Sequence, residues 1–369
     1  MLDDLTTVDW PALTHAYGSA GDVPGLLRDL AEGDDKALST LYGNIWHQGT
    51  VYEATAYAVP FLIRILAAPA ADRPGILGLL GSIARGASYL DVHRPLLPRS
   101  ERDTDGVTER LGAELGWVAA ATRAVTEGMP VYLRLLADHP EEKVRAAAAH
   151  LIGVTGEAGL RRAAAGDRSD LVRACAVLSL AAFDAPVTES LSDPEPFPRL
   201  AAAIVSAATR AGDELVAQII ERDAPACLSR IQRLPSGVSN GLSWVVDAIG
   251  RHPALQIRLL SAWLRHPDAP IREAAAHAAT EPLQTWRSTA AGLVPAFMAA
   301  QRDPVEAVRV ITLRHLAGAG SAAAEAADLL WAAVERGPID SADLVWATDR
   351  TVGASALTAL SRLHDPRAD

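Results

Sequence analysis

The chain is poor in cysteine, nearly devoid of lysine and sparing with aromatic side chains. Cys175 and Cys227 are the only cysteines in 369 residues, and neither belongs to a C-x-x-C pair. That excludes a disulfide framework and a cysteine zinc site; two buried free thiols in a reducing compartment are expected. Lys36 and Lys143 stand against 32 arginines, which reads as a GC-rich coding bias. The net charge of −11 has the wrong sign for displacing counterions from phosphates, which argues against nucleic acid and for a basic protein partner. No apolar run approaches the ~20 residues that span a bilayer. The opening MLDDLTTVDW lacks the basic-then-apolar order of a signal peptide, so a cytoplasmic protein is expected. Phosphate loops, dinucleotide glycine fingerprints and H-E-x-x-H are missing too, and nothing calls for a cofactor or a metal. Residues 237–241, GVSNG, match G-x-S-x-G. The helix-like CLSRIQRLP precedes them where a nucleophile elbow needs a strand, so Ser239 is not read as a nucleophile.

What the chain does have is self-similarity. MPVYLRLLADHPEEKVRAAAAHLIGVTG (129–156) reads as helix, short polar turn, helix. Val131, Leu133, Leu135 and Leu136 form one apolar face; Val144, Ala147, Ala148 and Leu151 form the next at i, i+3, i+4, i+7. The plan returns with Val172-Arg173, Ile271-Arg272 and Val308-Arg309 in the place of Val144-Arg145, and more loosely over 23–43 and 59–86. Residues 185–258 are the least regular. Pro24, Pro60, Pro130 and Pro295 each stand before an apolar helical run, which suits the first helical turn, where an N–H has no partner anyway.

This pattern, D-x(4–5)-V-R-x-x-A-x-x-x-L behind a proline-started helix, resembles HEAT-like repeats. The resemblance implies an all-α fold, an α-solenoid of stacked helical hairpins; at ~40 residues per unit the length allows about nine. It also implies that Arg145, Arg173, Arg272 and Arg309 pair with the turn aspartate of their own or a neighbouring repeat, for which Asp138, Asp167, Asp268 and Asp303 stand nearby. Three spans follow: capping repeats over 1–87, an excursion over 88–106, and a continuous array over 107–369. Three prolines or glycines, many charges and no helical period make 88–106 an exposed loop by expectation.

Five of the chain's 18 aromatic residues fall in YGNIWHQGTVYEATAYAVPF, residues 42–61. Part of it is helix punctuation: Gly49 as a left-handed helix end, Thr50 and Glu53 as a capping box, and Pro60 as the start of a further helix. Trp46, His47, Gln48 and Tyr52 have no such job, and upstream lie His15, Tyr17 and Asp22-Val23-Pro24. HAYGSAGDVP and YGNIWHQGTVYEATAYAVPFL resemble the opening repeats of a group of bacterial HEAT-like proteins without an assigned activity. Aromatics here would either seal the end of a solenoid core or form a contact. Three readings follow. One is a non-catalytic protein-binding module, possible as an immunity factor that blocks a basic toxin, with Tyr17, Trp46, His47, Gln48 and Tyr52 in the contact. A second is an enzyme or small-molecule pocket using His15, His47 and Glu53. The third, and weakest, is a HEAT-like DNA glycosylase; no tryptophan has Asp four residues on, Trp331 has Glu335, and Trp244 and Trp346 have Asp three residues on.

Overall fold

The computed structural model describes residues 2–96, 98–102, 104–210, 212–238, 240–285, 287–336 and 352–368. Ser239 and Trp346, singled out in the sequence, lie outside them. The fold is all-α, and the described strands are four of two residues each. The chain forms two compact units, residues 1–190 with 234–236, and 191–233 with 237–369. The division falls inside the 107–369 span, away from both boundaries drawn from the sequence.

The first unit contains α1 (Val23–Glu32), α2 (Asp35–Asn44), α3 (Glu53–Ile65), α4 (Arg73–Ala84), α5 (Tyr89–His93), α6 (Arg99–Arg102), α7 (Asp105–Glu127), α8 (Met129–Asp138), α9 (Glu142–Thr155), α10 (Leu160–Gly166) and α11 (Asp170–Leu180). Neighbours in sequence pack as hairpins, α1 on α2, α8 on α9 and α10 on α11, and α9 also lies against α4 and α11. The inner face of α9 explains this closeness. Val144, Ala146, Ala147, Ala148, Ala149, Leu151 and Ile152 are all buried, and a face of alanines lets helix axes approach. A Cβ on Gly153 would lie 2.4 Å from the Ser179 Cβ, so that approach requires glycine.

The second unit contains α12 (Pro196–Arg210), α13 (Glu214–Ala226), α14 (Leu228–Ile231), α15 (Gly241–Ala248), α16 (Pro253–Trp263), α17 (Ala269–Ala278), α18 (Thr280–Thr285), α19 (Arg287–Ala300), α20 (Glu306–Gly318), α21 (Ala327–Arg336) and α22 (Val352–Arg362). Phe197, Trp263 and Phe297 fill its core, and the Trp263 indole N–H donates to the Glu221 carbonyl (2.9 Å). Both cysteines are buried and neither forms a disulfide, and burial pushes Cys175 up to about 12.

One turn design recurs. His139, Asp167, Asp193, His266 and Asp303 each accept, with the side chain, the N–H two residues on. In every case the arginine six residues on donates back to the turn residue's carbonyl: Arg145, Arg173, Arg199, Arg272 and Arg309. The guanidinium then reaches forward. Arg145 holds Asp167 through two bonds of 2.9 Å, Arg272 holds Asp303, and Arg199 holds Asp223 (2.8 Å). Of the four arginines singled out in the sequence, Arg145 and Arg272 show the expected pairing, each with the turn aspartate of the neighbouring repeat. Arg145 and Arg272 thus bond the aspartate of the following turn, whereas the acceptor of Arg199 lies inside α13.

Three further expectations change. Pro60 and Pro295 start no helix; they sit inside α3 and α19. Both are on exposed positions, where water can serve the carbonyl that loses its N–H. Residues 88–106 are not a bare loop. Ser88 caps α5 through the Asp91 N–H (3.0 Å), and the carboxylate of Glu114, 2% exposed, accepts from the Ser88 hydroxyl and the Leu90 N–H at 2.8 Å each. An acceptor supplied from α7, out of reach of any local pattern, holds the start of this helical segment. Finally, Gly49 closes no helix, for reasons that belong to the site.

Candidate functional site

After α2 ends at Asn44 the chain makes a tight hairpin of β3 (Trp46–His47) and β4 (Thr50–Val51), with His47 opposite Thr50. Its two turn residues, Gln48 and Gly49, have φ of +49° and +93°. Positive φ at both is the signature of the I′ turn, whose twist suits adjoining strands, so Gly49 serves a hairpin. The hairpin is pinned laterally, with Val51 N–H on the Ala87 carbonyl (3.1 Å) and Ala87 N–H on the Gly49 carbonyl (2.8 Å). Thr50 is therefore a strand residue whose hydroxyl contacts the His47 carbonyl (2.8 Å) and the Tyr52 hydroxyl (3.0 Å). The cap of α3 falls two residues later than the S/T-x-x-E match suggested. Tyr52 N–H donates to Thr55 Oγ1 (2.8 Å), and that hydroxyl donates to the Ile45 carbonyl (2.6 Å).

A second hairpin stands earlier in the chain, β1 (Thr14–His15) with β2 (Gly18–Ser19), His15 opposite Gly18. It is held from inside. His15 is 8% exposed; its Nδ1 accepts the Tyr17 N–H (3.0 Å), and its Nε2 donates to Asp22 Oδ1 (3.0 Å). The other Asp22 oxygen accepts from Asn44 Nδ2 (2.8 Å), and the Asn44 carbonyl accepts the Ala16 N–H (3.0 Å). Glu53 Oε2 accepts from both the backbone N–H and the hydroxyl of Thr14 (3.2 and 3.1 Å). One polar network thus ties the first hairpin to the end of α2 and the start of α3.

At the turn of that hairpin Tyr17 is 70% exposed. Its ring stands edge-on to His15 (6.4 Å) and to His47 of the second hairpin (5.5 Å). Gln48 is exposed beside it in sequence, and His47, Trp46 and Tyr52 are half-buried. Trp46 meets Tyr42 edge-on at 5.9 Å, and its Nε1 is buried without a hydrogen-bond partner. Residues 1–60 carry nine carboxylates against two basic side chains, −7 of the chain's −11.

The structure therefore brings His15, Tyr17 and His47 together around one ring and places Trp46, Gln48 and Tyr52 on or next to the second hairpin. His15 is engaged with the Tyr17 N–H and the Asp22 carboxylate, and Glu53 with the Thr14 N–H and hydroxyl, which leaves His47 alone of the proposed pocket trio without a side-chain hydrogen bond among the described residues. Asp22 and Asn44 hold this arrangement together, and sequence reasoning gave them no role. The available signal was the pair of short turns, H-A-Y-G and H-Q-G-T, each with histidine two residues before the loop ends.

Elsewhere, the Trp331 indole N–H donates to Glu335 (2.9 Å) and Arg367 lies over its ring (5.7 Å), an ordinary helix-neighbour arrangement. Among the described residues no group of three or more His, Cys, Asp or Glu is placed to hold a metal, and no helix is long and apolar enough to cross a membrane. No family model matches the chain and no curated protein is significantly similar to it. A crystal structure of an engineered protein is similar at 17% identity over 92% of this chain and 93% of its own, with a TM-score of 0.36, a likeness too slight to carry fold or function.

Proposed function

We propose that this chain is a HEAT-like, non-catalytic protein-interaction module, and that the two N-terminal hairpins are part of its contact surface. The observation that carries the reading is an exposed tyrosine on a buried polar frame. Tyr17 is presented to solvent while the His15–Asp22–Asn44 network beneath it fixes the turn. A held aromatic with a polar tip loses little entropy on docking and buries much area, which is why Tyr and Trp dominate binding hot spots. The surplus of carboxylates over the first 60 residues favours a basic partner, whose approach it would also speed.

The pocket reading has less support, because His15 and Glu53 already satisfy backbone and hydroxyl groups and are not free to serve a substrate. Purified wild-type chain and Tyr17→Ala, incubated with source lysate, separate the two readings by native mass spectrometry. A stoichiometric protein partner that Tyr17→Ala weakens at least tenfold (about 1.4 kcal/mol), with the helical circular dichroism unchanged, is expected. A retained small molecule with no protein partner would overturn the proposal.

A further inference from the structure

The outer side of α7 faces water without the residues that normally do so. Its inner side is marked by the buried Glu114, Ala121 and Val125. Opposite them, Asp105, Gly112, Gly116, Ala119 and Arg123 recur at i, i+7, i+11, i+14 and i+18, one stripe at ~100° per residue, and all five are exposed. The polar face of a surface helix ordinarily carries charges along its length. Between Arg110 and Arg123 this one carries none: LGAELGWVAAAT holds a single charged residue, Glu114, and that one is buried.

Apolar side chains collect here instead. Leu115 borders the stripe and is 46% exposed. The neighbouring α5 packs against α7, and on α5 and the turn after it Tyr89, Val92 and Leu96 are exposed, Leu96 at 80%. Half of the eight large apolar or aromatic side chains that the described residues leave exposed therefore lie on these two elements. The glycines add to this. At Gly153 a Cβ would strike Ser179, whereas at Gly112 and Gly116 it would meet nothing within 4 Å. Glycine weakens a helix interior relative to alanine, and no contact within this chain requires it at either position.

We propose that this face of α7 is the contact between two copies of the chain, packed as an antiparallel pair of α7 helices about a two-fold axis. The charges select a second copy as the occupant. Asp105 and Arg123 close the apolar stretch at its two ends, ~27 Å apart along the helix, and neither has a side-chain partner among the described residues. An axis crossing at the level of residue 114 sets Asp105 of each copy opposite Arg123 of the other. It sets Gly112 opposite Gly116, where two backbones can approach closely, and Glu109 opposite Ala119, so no like charges meet. A parallel pair would oppose Asp105 to Asp105. One patch thus complements itself, as a closed two-fold interface requires.

Sedimentation velocity of the full chain over about 1–100 µM tests this, and a monomer–dimer equilibrium is expected. Leu115→Lys should weaken the dimer roughly tenfold with the helical circular dichroism unchanged. Asp105→Arg and Arg123→Asp should each weaken it about threefold or more, and the two together should return it to within about twofold of wild type. Gly116→Leu should weaken the dimer while raising the denaturation midpoint, a pairing of effects that a purely structural glycine would not give. Tyr17→Ala should leave the dimer unchanged, which separates this contact from the one at the hairpins. A chain that stays monomeric throughout, an assembly that grows beyond two, a dimer indifferent to Leu115→Lys, or a double charge reversal that restores nothing would each overturn the proposal.

Discussion

The arginine turns and the N-terminal hairpins handle polar side chains in opposite ways. In the turns a charged group goes inside and stays there: Arg145 is 3% exposed, bonded at once to two carbonyls and to Asp167. In the hairpins the polar groups go inside so that something else can stay outside. His15 and Asn44 are buried, and Tyr17, which they support, is 70% exposed. The difference separates two kinds of information. A feature that returns in five turns belongs to the stacking of helices, whereas a feature confined to the two hairpins holds one aromatic in solvent.

That comparison can be broken or sharpened by experiment. The largest effect is expected at the turns. Arg145→Ala leaves the Asp167 carboxylate and two carbonyls short of donors in a closed site, and should cost about 3–5 kcal/mol in urea denaturation; a loss under ~1 kcal/mol would reduce the ladder to decoration. Arg145→Lys should recover only part, since an ammonium cannot form the two-pronged bond.

Next comes a pH effect in the first unit. Burial, followed by the charge of Arg85, holds His150 down at about 4, and the Arg85 guanidinium lies 3.2 Å from its Nε2. Folding keeps this imidazole neutral, so the unfolded chain takes up the proton first. The stability is fully present above pH ~6.5 and declines as pH falls towards 4, by no more than about 3 kcal/mol. His150→Gln should flatten that decline in denaturation midpoints measured across the range; an identical slope would assign the acid sensitivity to other groups.

Asn44→Ala should cost about 1–3 kcal/mol by leaving Asp22 short of a donor. It should also weaken partner binding, because the Tyr17 turn loses its anchor. Smallest of all is Tyr17→Ala, expected within about 0.5 kcal/mol of wild type in stability while removing the binding contact. A marked loss of stability there would turn the surface tyrosine back into a structural cap.

The helical hairpins were legible in the sequence because apolar periodicity and the V-R pair repeat with little change over 129–180, 259–280 and 294–320. Arg199 escaped because proline stands before it in place of valine, and its acceptor, Asp223, lies within α13 instead of in a turn. Which of the candidate aspartates each arginine takes was open for a different reason: a bond to the next repeat leaves no mark in local spacing, so Asp138 and Asp268 stood level with Asp167 and Asp303 as partners of Arg145 and Arg272. Strands of two residues are too short to alternate, and the short turns H-A-Y-G and H-Q-G-T were the sole trace of the two hairpins. The site residues Tyr17, Trp46, His47, Gln48 and Tyr52 stood out by composition alone. The roles of Asp22 and Asn44 required knowing that the two turns lie beside one another.

The forward reach also has a consequence in time. Arg145 bonds an aspartate 22 residues later in the chain, Arg199 one 24 later and Arg272 one 31 later. At roughly 5–20 residues per second of synthesis, each guanidinium waits about one to six seconds before its carboxylate has been made. During that interval the newest helix pair is complete in backbone but unlatched, so the growing end of the chain is always its least settled part. A ribosome stalled between Arg145 and Asp167 should display a nascent chain whose last hairpin is open to protease, and release of the next two dozen residues should close it.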